Sequence, residues 1–181
     1  MSRIPLASVQ DFDNKTQELL QGLPPVNIAL MLARTGIAPE IYSVVSALFS
    51  DDYLPDDDRE IILYRICKDN DSQYEINFHR KTAALPQEIV DIVLSDDLGP
   101  LETWHQVLCK ACDEITNNAK MSEDSVKAFV DHYGTYDMAC RAIFLLSWFN
   151  MLTRYSDSTG VPFENDEVLK SIVSPVKMGR H

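Results

Sequence analysis

Residues 56–85 read DDDREIILYRICKDNDSQYEINFHRKTAAL, and the fold follows from how this stretch divides. Ile61, Ile62, Ile66 and Cys67 recur at three- and four-residue spacing, the period of a helix. The polar run Asp69-Asn70-Asp71 interrupts that pattern, and a second helical segment follows it. On the second segment Ser72, Glu75 and His79 fall on one face, one turn apart. A carboxyl group one turn before an imidazole is a possible acid–base pair, because each tunes the proton affinity of the other.

The rest of the chain has the same helical character. Apolar positions in a helical rhythm predict helices over 11–23, 27–34, 39–49, 86–94, 101–117, 125–133 and 137–155. Gly22 with Pro24-Pro25, Thr35-Gly36, Gly134 and Gly160 to Pro162 supply stops, and Ser122 is an N-cap. The aspartates between Ser50 and Asp58 suit a helix start, where negative charge meets the positive end of the helix dipole. No segment alternates apolar and polar residues between hairpin turns. The expected fold is all-α, with about eight or nine helices in one domain over 1–162 and a polar C-terminal arm or tail over 163–181.

A chain of 181 residues is long enough to bury a real core. Its 45% hydrophobic and 24% charged residues are the ordinary balance of a soluble globular protein. A net charge of −12 argues against nucleic acid and anionic membrane as partners, since both reward basic patches. The first ten residues carry no basic-then-apolar leader, and no apolar run reaches the length of a membrane span. The default location is the cytoplasm, where the sequons at Asn14 and Asn70 carry no meaning. No Gly-rich phosphate loop, His-rich metal motif or Ser-His-Asp order is present.

Several runs together carry a family resemblance. Glu60, eleven residues, Ser72-Gln73-Tyr74-Glu75, three residues and His79-Arg80-Lys81-Thr82-Ala83 resemble the carboxymuconolactone decarboxylase-like and AhpD-like superfamily. Phe149-Asn150-Met151-Leu152-Thr153-Arg154 resembles its F/Y-N-M-L-x-R run, and Arg3-Ile4-Pro5-Leu6 its typical opening. The peroxidase branch of that superfamily has C-x-x-C-x-x-x-H after the glutamate. Here Ser72 and Glu75 stand at the two cysteine positions, so the thiols that attack and resolve a peroxide are missing there.

The resemblance implies a cofactor-free enzyme that moves protons on a small cyclic acid, lactone or carbonyl compound, by decarboxylation or isomerisation. It also implies a homo-oligomer: a dimer, trimer or hexamer. His79, Glu75 and Glu60 are the catalytic candidates, with Glu60 orienting or ionising His79. Tyr74, Ser72, Asn150 and Arg154 are the candidates for binding substrate, Arg154 through its planar fork on a carboxylate. Tyr74, Phe78, Trp148 and Phe149 would shape an apolar pocket. The same pocket would serve a cyclase or rearrangement enzyme. A non-catalytic binding or assembly protein would keep only the scaffold and leave this region packed shut.

Each candidate also has a plainer reading. His79 is alternatively a satisfied structural histidine, and so are His105 and His132. Glu60 is alternatively a first-turn carboxylate, Glu75 a partner of Arg80 or Arg65, and Arg154 half of a buried ion pair. Cys67, Cys109, Cys112 and Cys140 sit in apolar helical contexts and read as buried thiols. Cys109 and Cys112 form a C-x-x-C, but Thr116 stands where a histidine would complete the redox pattern. Replacing both by alanine should cost stability and leave turnover intact; lost turnover with an unchanged circular dichroism spectrum would make them a redox centre.

Overall fold

The structure, a computed structural model, describes residues 2–82 and 85–172. Among these residues every regular element is helical. A 3₁₀ turn, Val9–Asp11, precedes α1 (Asn14–Gln21), α2 (Asn27–Ala33) and α3 (Ala38–Leu48). Then come α4 (Asp56–Asp69), α5 (Gln73–Thr82), α6 (Gln87–Val93) and α7 (Thr103–Asn118). The order closes with α8 (Glu123–Tyr133), α9 (Tyr136–Thr159) and α10 (Asp166–Ser171).

Helix α4 is the centre. Every residue from Asp58 to Cys67 is buried, so this helix has no solvent face. It packs on α7 and α9 most extensively, and on α5 and α6. Its apolar residues meet Leu108, Phe129, Leu145 and Phe149 in the main core. A second cluster is built by Leu20, Val26, Ala29, Ala33 and Ala38 from α1 to α3, with Leu169 and Ile172 from the end of the described chain.

Three buried charged residues of α4, Asp58, Arg59 and Arg65, have partners from other parts of the chain. Arg65 makes a two-pronged contact with Asp113 of α7, with Nη2 donating over 2.8 Å, while Nη1 donates to the carbonyls of Val93 and Ser95. Arg59 donates to Asp56 and to the carbonyls of Leu48 and Ser50. Asp58 accepts from Trp104 Nε1 at 2.9 Å and from the Tyr133 hydroxyl at 2.8 Å. Asp58 is thus an anchor inside the core, beyond the helix-dipole role its position suggests.

The polar break works as expected. Asp71 takes a left-handed conformation (φ 53°). The amides of Asp71 and Ser72 then bond to the carbonyls of Lys68 and Cys67, a Schellman closure that turns the chain into α5. Ser122 caps α8 by accepting from Ser125, and Gly134 and Gly160 end α8 and α9 with positive φ.

Three expectations need correction. The segment 11–23 is not one helix: Asp13 leaves helical geometry to cap α1, accepting from the Thr16 amide at 2.8 Å. The helix over 137–155 runs on to Thr159, where the hydroxyls of Ser156 and Thr159 fold back onto backbone carbonyls. Residues 163–172 are not a loose arm, because α10, capped by Asn165, packs against α5 and buries Leu169 and Ile172. The expected arm's remainder, 173–181, lies outside the described residues.

Arg65 is nearly inaccessible, and removing its partner strands a charge. Asp113→Ala should therefore lower unfolding free energy by about 3 kcal/mol or more. Urea denaturation checks this, and an unchanged midpoint would mean that Arg65 finds water or another acid.

Candidate functional site

Helix α5 carries Glu75 and His79 on the face that the four-residue spacing implies. Both are buried, and Nε2 of His79 lies 3.9 Å from Oε2 of Glu75, beyond hydrogen-bonding reach. The His79 ring meets the edges of Phe78 and Tyr64, with centroids 5.3 and 6.4 Å away. Among the described residues, Nδ1 of His79 and Oε1 of Glu75 are buried without a hydrogen-bond partner.

Burial decides the charge of both. It drives the His79 imidazole down to about 4, because the cation loses its hydration. It also drives the Glu75 carboxyl up to about 8; Asp157 and Glu164 add to that rise, and the Ser156 hydroxyl partly offsets it. Near pH 7 the pair is a neutral imidazole beside a neutral carboxylic acid.

The two face a cavity of about 910 Å³. Leu19, Ile28, Leu32 and Val45 of α1 to α3 form one wall. Phe78 of α5 and Trp148, Phe149 and Leu152 of α9 form the other. Its mouth lies at Gly22, Ser43, Ser46 and Asp51, which are exposed. The region is therefore open on that side.

Of the seven residues singled out in the sequence, Glu75 and His79 line this cavity; Glu60, Tyr74, Ser72, Asn150 and Arg154 do not. Glu60 is buried on α4, where burial first and its carboxyl second raise the Tyr64 phenol. Tyr74 donates its hydroxyl to Glu164 at 2.7 Å and accepts from the Ile28 amide at 3.3 Å, which ties α5 to α2 and the approach to α10. Ser72 is fully buried at the α4–α5 junction.

Asn150 and Arg154 are clamps. Asn150 accepts from Asn70 and donates to Thr116, each at 3.1 Å. Arg154 donates to the Asn70 side chain at 3.3 Å and to the Thr116 carbonyl at 3.2 Å. The run around them holds the α4–α5 turn against α7 and so aims α5. Arg80 pairs with Asp91 and Arg65 with Asp113, so neither neutralises Glu75.

His105 lies 3.2 Å from Glu102 and 3.6 Å from Asp58, and His132 stacks on Trp104. Both are structurally occupied. Cys67, Cys109 and Cys112 are buried, and burial pushes the Cys109 thiol up to about 12 and the other two upward as well. Cys140, expected to be buried, is exposed on α9. Among the described residues, no group of three or more His, Cys, Asp and Glu is arranged to hold a metal ion, and no helix is long and apolar enough to cross a membrane.

Sequence reading missed Tyr42. Its hydroxyl-bearing ring lines the cavity from α3, and burial with the nearby Glu75 carboxyl keeps the phenol protonated. At helical spacing Ile41, Val44, Val45 and Leu48 form the apolar stripe of α3, and Tyr42 lies off that stripe. No local signal reveals a cavity between two helix layers.

The neutral pair has a thermodynamic signature. Between its ordinary 4.5 and its folded value near 8, Glu75 keeps a proton that the unfolded chain has lost. Its stabilisation is complete below 4.5 and disappears as pH climbs to 8. His79 acts oppositely, losing its contribution as pH falls from 6.5 towards 4. The two oppose each other between 4.5 and 6.5, and from 6.5 to 8 Glu75 acts alone. Unfolding free energy should fall by about 2 kcal/mol over that last interval. Glu75→Gln should abolish this fall in denaturant titrations; an equal fall in the variant would place the titration elsewhere.

No protein-family model matches the chain, and no curated protein matches it significantly. One solved structure does: an alkylhydroperoxidase AhpD core, described as an uncharacterised peroxidase-related protein from Ralstonia eutropha JMP134. It is 18% identical, covers 93% of this chain and 94% of its own, and superposes with a TM-score of 0.76. The helical arrangement built up above is the AhpD-like fold.

Proposed function

We propose that this protein is a proton-transfer enzyme acting on a carbonyl compound, with His79 as base and Glu75 as acid. One observation carries the reading: an imidazole held neutral one turn from a carboxyl held protonated, on the wall of a largely apolar cavity. His79 takes the proton from the carbon beside the carbonyl as the C–H bond breaks. Glu75 gives its proton to the carbonyl oxygen, and the electron pair left on carbon forms the enol double bond. Return of a proton from His79 to a different carbon, with the enol proton going back to Glu75, completes an isomerisation and leaves the enzyme unchanged.

Each group alone is a weak catalyst in so dry a place. Acting together they create imidazolium and carboxylate side by side, so no isolated charge is buried. Decarboxylation of a β-keto acid would use the same pair: His79 takes the carboxyl proton as the C–C bond breaks and carbon dioxide leaves, Glu75 protonates the carbonyl oxygen to give the enol, and His79 then returns its proton to carbon as the enol proton goes back to Glu75. A cyclisation or rearrangement would use the same pair. Peroxide reduction is a poorer fit despite the neighbour's peroxidase-related description, because no cysteine lines the cavity among the described residues.

Exchange of α-hydrogens for solvent deuterium, followed by NMR over a panel of lactones, enolisable ketones and β-keto esters, tests the reading without a known product. His79→Gln should retain its melting temperature to within a few degrees and lose about 10²- to 10⁴-fold in exchange rate. For any substrate found, kcat/KM should rise through pH 4 as His79 becomes neutral and fall through pH 8 as Glu75 ionises. A His79→Gln variant that exchanges at the wild-type rate would make the histidine structural.

A further inference from the structure

We infer that the cavity selects an uncharged molecule with an extended apolar body and a single hydrogen-bond-accepting end, and rejects the small carboxylate acids that the sequence resemblance implies. This deepens the reading above and rests on it only in taking the cavity as the substrate site.

Charge is the first ground. Among the described lining residues there is no lysine or arginine. The cations that might have served are committed elsewhere: Arg65 to Asp113, Arg80 to Asp91, and Arg154 to Asn70 and Thr116. Arg59 lies against Phe49, but its donors go to Asp56 and to the carbonyls of Leu48 and Ser50. Carboxyl groups crowd the polar end instead. Glu75 is on the wall, Asp157 and Glu164 are close enough to act on it, and Asp51 is at the mouth. An anion entering here would lose its hydration and, among the described lining residues, find no lysine or arginine to offset its charge.

Size and polarity are the second ground. About 910 Å³ is near the top of the range of roughly 300–1,000 Å³ typical of small-molecule sites. A compact cyclic acid would leave most of it empty, with no contacts along the walls formed by Leu19, Leu32, Val45 and Leu152. Away from the mouth, the lining groups able to donate to a ligand carbonyl oxygen include the Glu75 carboxylic acid, the Tyr42 hydroxyl and the Trp148 indole N–H, which is buried without a partner among the described residues. The chemistry thus selects a ketone, ester or lactone with an alkyl or polycyclic body, and within the proposed reaction it favours isomerisation over loss of carbon dioxide from an acid.

Isothermal calorimetry near pH 7 with γ-decalactone, decanoate and decylammonium tests this, because the three share a chain and differ in the charge of the head. The lactone should bind saturably, at least about ten-fold tighter than either ion. Its binding should quench Trp148, a change that is lost in Trp148→Phe and kept in Trp104→Phe. Decanoate or decylammonium binding as tightly as the lactone overturns the inference, as does lactone binding that leaves Trp148 undisturbed. Deuterium exchange on the bound lactone separates the two readings. Binding with no exchange at any pH defeats proton transfer and leaves the selectivity standing; exchange with a preference for the anion does the reverse.

Discussion

A helix whose middle has no solvent face has to satisfy the polar groups it carries there from inside the protein, and α4 meets that demand at Asp58, Arg59 and Arg65. The neighbouring helices are arranged around those needs. Asp113 on α7 and the carbonyls at the end of α6 receive Arg65, Trp104 and Tyr133 receive Asp58, and the turn after α3 receives Arg59. The contacts specify which helix sits where and in what register, which a purely apolar interface would leave looser. Helix α5 then leaves α4 through a closure at Asp71 that Asn150 and Arg154 hold from α9.

The site inherits its chemistry from this placement. Glu75 and His79 sit in ordinary helical geometry, and neither has a strained backbone or an ionic partner of opposite fixed charge. Their unusual proton affinities come from where α5 is put: against α4, at the edge of the main core, with Asp157 and Glu164 close by. A single cation beside Glu75 would ionise it and leave the imidazole alone with a carboxylate. The commitment of Arg65 and Arg80 to other acids is therefore part of how the site is made.

Much of this was legible from local pattern. Helical rhythm gave the elements, Ser122, Gly134 and Gly160 marked their ends, and the four-residue spacing of Glu75 and His79 announced a shared face. What stayed hidden depends on pairings far apart in the chain. Arg65 meets Asp113 across 48 residues, and Asn150 meets Asn70 across 80. Before those pairings are known, a charged residue on a helix reads as solvated, and an asparagine with an arginine four residues on reads as a binding pair. The same blindness turned 163–172 into a tail, since the apolar side chains of Leu169 and Ile172 acquire a purpose only once α1 and α2 stand opposite.

The cavity lies between two unequal bodies of packing. Its α9 wall belongs to the main cluster around α4, while Leu19 and Ile28 of α1 and α2 and Phe78 of α5 pack with the smaller cluster, and α3 is shared, with Val45 on the main cluster and Tyr42 on the smaller one. Side chains of the smaller cluster such as Leu20, Val26 and Ile172 hold α1 and α2 in place beside the cavity, apart from the buried charges of α4. Evolution can retune how readily the molecule fills and empties by editing those side chains, without touching the buried charges that hold the fold.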